Sequence, residues 1–247
     1  MRMRGLMLKG VGRLRGAGAG VVRMTVPPLC PACLARLREP GEAVCDGCQG
    51  RLRVLPAPRC RSCGGTVDGL LDVCGDCLAG PARPWNRAVT VFDYGGYVRE
   101  LIHRFKYHGG VYLAPFFAGE MAAAWQQYAA GEAIEAVVPV PLHWRRRLSR
   151  GYNQAELLAG GVGAAVGAPV RELLRRTRAT RQQARLDGEA RRGNVRGVFA
   201  VRRLSGLPKS VALVDDVMTT GATLEAAARQ LKAAGVARVN VLTLARG

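Results

Sequence analysis

Eight cysteines lie between residues 30 and 77, and the chain has no others. They form four CxxC pairs, Cys30/Cys33, Cys45/Cys48, Cys60/Cys63 and Cys74/Cys77, separated by eleven, eleven and ten residues. Two residues between thiolates let both sulfurs face one tetrahedral ion, and two such pairs complete a closed zinc site. Sequential pairing is the simplest, with Cys30, Cys33, Cys45 and Cys48 on one zinc and Cys60, Cys63, Cys74 and Cys77 on a second. The spacing also allows interleaved pairs. A closed four-sulfur site leaves no position for a substrate, so both zinc ions are expected to be structural. A disulfide framework would go with secretion, but Arg13 and Arg15 interrupt any apolar signal core in residues 1–24. A redox CxxC stands alone in a thioredoxin-like unit and is not repeated four times. The cysteine segment has few large apolar residues, so metal binding would supply its folding free energy.

A second string with chemical potential is Val211–Thr223, VALVDDVMTTGAT. Four apolar residues predict a buried strand. Asp215 and Asp216 follow at its carboxyl end, placed to accept hydrogen bonds from sugar hydroxyls. Met218, Thr219, Thr220, Gly221, Ala222 and Thr223 then make a small-residue turn into a helix. Such a turn aims several backbone N–H groups at one phosphate, aided by the positive end of the helix. The string is no Walker A loop, since no GK[ST] follows, and no dinucleotide fingerprint, since GxGxxG is absent there.

These residues need elements to hold them. After Pro84 apolar runs alternate with helical patterns, which predicts an α/β domain. Strands are expected at Arg87–Tyr94, Ala136–Val140, Val198–Val201, Ser210–Asp215 and Val239–Leu244. Helical faces are read from Val98, Leu101, Ile102 and Phe105, from Pro115–Tyr128, from Ala155, Leu158, Val162 and Ala165, and from Leu224, Ala227, Ala228 and Leu231. In such a sheet, ligands sit beyond the carboxyl ends of the strands. The stretch after Val140, LHWRRRLSRGYNQ, reads as a loop with four arginines leading to a helix near Tyr152. Thr177–Phe199 is polar, rich in arginine and without apolar period. His103, His108 and His143 show no metal spacing and are expected to be structural or surface residues.

The net charge is +19, with 37 Lys and Arg against 18 Asp and Glu. Such a surface attracts polyanions, yet an Ala/Gly/Arg-rich composition accounts for much of the excess, so charge assigns no function. No apolar run approaches the roughly 18 residues of a membrane span. Residues 1–27 are expected to be a basic flexible tail, 28–84 a double zinc ribbon and 85–247 the α/β domain, in a cytoplasmic protein whose thiols stay reduced.

The string VDDVMTTGAT closely resembles the phosphoribosyl pyrophosphate (PRPP) motif of type I phosphoribosyltransferases. The four knuckles, LIHRFKYHG, PVPLHWRRRLSRGYNQAELLA, RTRATRQQARL with RRGNVRGVF, and VDDVMTTGAT together resemble one narrower group. This is the competence-associated ComF family, over about residues 28 to 245. One departure is Arg185, at a position where a small residue is expected. The resemblance implies a Rossmann-like, mainly parallel sheet behind a zinc ribbon. It puts Asp215 and Asp216 on the ribose and Met218–Thr223 on the 5′-phosphate. Arg147, Arg150, Asn153 and Gln154 become candidates for pyrophosphate, and Arg178 and Gln183 for a mobile closing loop. It implies PRPP with Mg²⁺ as ligand and transfer of ribose 5-phosphate to an unidentified acceptor, a chemistry of nucleoside metabolism, in a protein linked to DNA uptake. No catalytic acid or base is identified. Two other readings accompany it: a non-catalytic PRPP sensor, and an accessory factor that binds single-stranded DNA or a protein of the competence machinery.

Overall fold

The computed structural model describes residues 29–38, 44–69, 71–178, 197–202 and 206–247. The chain divides into two compact units, residues 1–45 and 46–247. In the first, an antiparallel bridge joins Leu29 to Arg36. Between them, Cys30 donates to the Ala35 carbonyl at 2.7 Å and Leu34 to the Cys30 carbonyl at 2.8 Å, which closes the first knuckle.

In the second unit the short helices α1 (Asp46–Gln49) and α2 (Gly75–Ala79) each carry the second cysteine of a knuckle. The α/β part then runs β1 (Arg87–Asp93), α3 (Gly96–Tyr107), a 3₁₀ turn (Gly110–Leu113), α4 (Ala114–Ala129) and β2 (Ala136–Pro139). It continues with α5 (Trp144–Arg150), α6 (Gln154–Val166), β3 (Leu174–Arg176) and β4 (Phe199–Val201). It ends with β5 (Ser210–Met218), α7 (Ala222–Ala233) and β6 (Arg238–Arg246). Four strands form a parallel sheet in the order β1-β6-β5-β2. The central strands are apolar without alternation because both faces are covered, as a parallel sheet requires. Val211–Val214 and Val241–Leu242 are fully buried.

Helix α3 buries Leu101, Ile102 and Phe105. Helices α4 and α6 approach closely enough that a Cβ on Gly161 would stand 2.5 Å from the Cβ of Ala118, so only glycine fits there. Neither edge of the sheet is bare, as aggregation resistance demands. Residues 53–55 run along β1, with Leu55 donating to Val91 and Asp93 to Arg53, and Val170 bridges to Val137 of β2. Among the described residues no helix is long and apolar enough to cross a membrane.

Two local expectations change. The stretch after Val140 is not a loop throughout. His143 accepts from the Arg145 amide at 3.3 Å as an N-cap, and Gly151 ends the resulting helix α5 in the left-handed region at φ 80°. The Val198–Val201 segment is a strand, β4 being Phe199–Val201, but it lies outside the main sheet. It pairs antiparallel with β3, a three-residue strand whose sequence, Leu-Arg-Arg, has too little pattern to be read in advance.

Candidate functional site

Strand β5 is buried through its first five residues, and Asp215, Asp216 and Val217 then emerge at its carboxyl end. They open onto a cleft of about 410 Å³. One boundary is the β5–α7 turn, through Thr219 and Thr223. Another is Val140, Pro141 and Leu142, with Arg146 and Arg150 of α5 and Arg176 of β3. A third is Tyr94 beyond β1 with Arg99 and Lys106 of α3.

Five basic side chains thus share the cleft with two acids. Lys106 pairs with Asp216 at 2.8 Å, both side chains less than one-fifth exposed. Burial alone would discharge this lysine, but Asp216, and Asp215 behind it, outweigh that and hold its pKa above the usual range. Asp215 accepts from the Asp216 amide at 2.9 Å. Burial, followed by the neighbouring Asp216 charge, pushes its pKa up to about 7, against the pull of that amide, Lys106 and Arg176. Arg176 is drawn down to about 10 by burial and by Arg146, with Asp215 opposing. The cleft therefore stores repulsion among its cations, which an incoming anion would relieve.

The turn is shaped by Gly221, at φ 80°, where a side chain would be strained. Thr220 Oγ1 accepts from the Ala222 amide at 3.4 Å, and Glu225 donates its amide to Gly221 at 2.8 Å to begin α7. Met218 and Ala222, read from sequence as part of the phosphate turn, are buried. Met218 is the last strand residue, in register with Arg246, and its side chain joins the core.

The pyrophosphate candidates separate. Arg150 lines the cleft, with its guanidinium 4.6 Å from the Tyr107 ring and bonded to the Tyr107 hydroxyl at 2.8 Å. Arg147 turns to the other side of α5 and pairs with Glu156 at 3.0 Å. Asn153 and Gln154 are buried and do not line the cleft. Asn153 caps α6 by accepting from Ala155 at 3.1 Å, and donates to the Val140 carbonyl at 3.1 Å. Gln154 accepts from Arg150 at 3.1 Å and reaches the Phe105 and Lys106 carbonyls at 3.5 Å. Both brace the wall from behind. Arg178 is exposed and outside the cleft lining; Gln183 and Arg185 lie outside the described residues. Lys106 and Arg176 stand in the family strings LIHRFKYHG and RTRATRQQARL, where neither was singled out for the site, since a cation at a helix end such as Lys106 is favourable without a ligand; Arg99 carried no signal.

The cysteines gather sequentially. The ligand atoms of Cys30, Cys33, Cys45 and Cys48 lie within 4.8 Å of one another, and so do those of Cys60, Cys63, Cys74 and Cys77. All eight are free of disulfides. In each group a backbone amide donates to the first sulfur, Cys45 to Cys30 at 3.4 Å and Cys74 to Cys60 at 3.3 Å. These bonds suit thiolates, and together with four sulfurs gathered within 4.8 Å they fit two structural zinc ions.

A family profile for a double zinc ribbon domain matches residues 21–78, and one for a phosphoribosyl transferase domain matches residues 183–247. The chain is therefore a zinc-ribbon protein with a phosphoribosyltransferase domain. It is 31% identical over 223 residues to competence protein F of Haemophilus influenzae, covering 88% of this chain and 96% of that one. It is 32% identical over 235 residues to the DNA utilization protein YhgH of Escherichia coli K12, covering 90% and 99%. It is 29% identical over 217 residues to competence protein ComFC of Bacillus subtilis, covering 85% and 87%. The chain belongs to this ComF family.

Proposed function

We propose that the cleft binds PRPP and that the protein transfers ribose 5-phosphate from it to an acceptor nucleophile. The observation that carries this reading is the pair Asp215 and Asp216, at the mouth of a central strand, between a phosphate-sized helix N-terminal turn and a cationic wall. In this assignment Asp215 and Asp216 accept from the ribose hydroxyls. Amides of the Thr219–Thr223 turn hold the 5′-phosphate. Arg146, Arg150 and Arg176 face pyrophosphate.

Transfer breaks the bond from ribose C1 to pyrophosphate oxygen, and the electron pair leaves with pyrophosphate. The acceptor lone pair forms the new bond to C1, and the acceptor proton is released. Positive charge grows on the sugar and negative charge on the leaving group, so positioning and preorganised charge lower the barrier. The carboxylates and phosphate oxygens fit Mg²⁺ arriving with PRPP, which when bound neutralises pyrophosphate charge. In this reading residues 28–84 are the double zinc ribbon and residues 85–247 the transferase domain. The reduced cytoplasm suits the ribbon's thiolates, and the relatives' names support a role in competence or DNA utilization.

A second reading, an accessory factor that contacts single-stranded DNA, draws support from Trp144. It is 59% exposed on the basic helix α5, with Arg145 placed 5.2 Å from its ring. Calorimetry with PRPP and Mg²⁺ tests the site, and pyrophosphate release across a panel of bases and amines tests turnover. Absence of PRPP binding would sink the first reading. Binding without release under any acceptor would leave a PRPP sensor. DNA binding that weakens steeply with salt would favour the second.

A further inference from the structure

The β5–α7 turn is held from outside by the segment that leads out of the second cysteine group. Arg83 bridges 137 residues of sequence to donate Nη1 to the Thr220 carbonyl at 3.0 Å. The same guanidinium pairs with Glu225 in the first turn of α7. Its carbon lies 5.4 Å from the Trp85 ring. Trp85 is buried and donates its indole N–H to the Ser62 carbonyl at 2.7 Å. Ser62 sits between Cys60 and Cys63, so contacts run unbroken from a zinc knuckle to the turn. A Cβ on Gly221 would stand 2.9 Å from Arg83 Nη1 and 3.4 Å from the Trp85 ring. Glycine there serves this close approach as well as the positive φ.

Two physical consequences follow from the contact. In a trans peptide the C=O and the following N–H point in opposite directions. Fixing the Thr220 carbonyl on Arg83 therefore fixes the Gly221 N–H on the side away from Arg83. Glu225 is also an anion at a helix N-terminus, where it would repel a phosphate, and Arg83 neutralises it.

We propose that Arg83 is a positioning residue, through which the second cysteine group sets the amide geometry of the phosphate turn. This inference rests on the phosphoribosyl reading of that turn. The test uses the full zinc-loaded chain and calorimetry with two probes, ribose 5-phosphate and inorganic pyrophosphate, beside zinc content and melting temperature. Loss of a charge-assisted hydrogen bond predicts that Arg83→Ala weakens ribose 5-phosphate by about tenfold or more. Pyrophosphate affinity should change less than about twofold and zinc content should hold, because the cationic wall does not touch Arg83. Adding Glu225→Gln should restore part of the loss. Arg83→Lys keeps the charge opposite Glu225 but not the fork to Thr220, so it should fall between wild type and Arg83→Ala, and it serves if the alanine variant fails to fold. Wild-type ribose 5-phosphate affinity in the Arg83 variants, or equal losses for both probes, would overturn the inference. A wild-type protein that binds neither ribose 5-phosphate nor PRPP would instead overturn the function reading itself.

Discussion

The cleft is bounded on one side by a turn made of backbone and on others by a wall made of side chains. The turn, Thr219–Thr223, needs five consecutive residues, and its shape follows from Gly221 and the start of α7. The wall takes Arg99 and Lys106 from α3, Arg146 and Arg150 from α5, and Arg176 from β3. Backbone donors have little freedom to lose when a ligand arrives. The cationic side chains are long, mutually repelling and partly buried, and they need bracing: Gln154 and Tyr107 brace Arg150, and Asp216 braces Lys106. The contrast predicts that the two boundaries fail separately and toward different parts of one ligand.

The largest effect is expected where the two boundaries meet. Asp215→Ala with Asp216→Ala removes charged acceptors for the ribose and should weaken PRPP roughly 100-fold or more by calorimetry. Zinc content should not change, and pyrophosphate alone should bind as well or better, since the negative charge of Asp216 and the partly ionised Asp215 is gone. Unaltered PRPP binding would take the carboxylates out of the site.

Next in size, Arg146→Ala with Arg150→Ala should weaken pyrophosphate by about 10- to 100-fold while ribose 5-phosphate stays within about twofold. Parallel losses on both probes would erase the distinction between turn and wall.

A smaller effect concerns the cost of burying Asp215. Its pKa is about 7 in the folded chain against a reference of 3.8. Between those values the folded state holds a proton that the unfolded chain has released, so stability falls as pH rises through that window and levels off above it. Asp215→Asn lifts this penalty. Its melting temperature should match wild type near pH 4 and exceed it at pH 8, by roughly 2–4 °C for each kcal/mol relieved. A gap that stays constant with pH would mean burial is not the cause.

The smallest effect is expected at Arg147. Its pair with Glu156 lies on the exposed side of α5, where an ion pair contributes about 0–1 kcal/mol. Arg147→Ala should change pyrophosphate affinity less than about twofold. A tenfold loss would bring the outer face of α5 into the site.

Much of the frame was readable before the fold. The knuckle spacing yields two cysteine groups, and the apolar runs yield the four parallel strands, β4 and most of the long helices. Helix α5 was hidden because its only start signal is a histidine cap, and three arginines in a row read equally well as loop. Strand β3 was hidden because three residues have no period. Asn153 and Gln154 stand in the family string beside Arg150 and look like ligands there. The structure turns them inward, one to cap α6 and one to tie α5 to the end of α3.

What the sequence by itself determined is whatever depends on residues a few positions apart: paired thiols across a knuckle, and two carboxylates running into a threonine–glycine turn. There the backbone geometry carries side chains and amides to their places without help. Only the tertiary structure decided which cations reach the cleft, and that Arg83 grips Thr220 from 137 residues away. Long side chains can point in several directions, and only the packing of α3, α5, β3 and the second knuckle chooses among them.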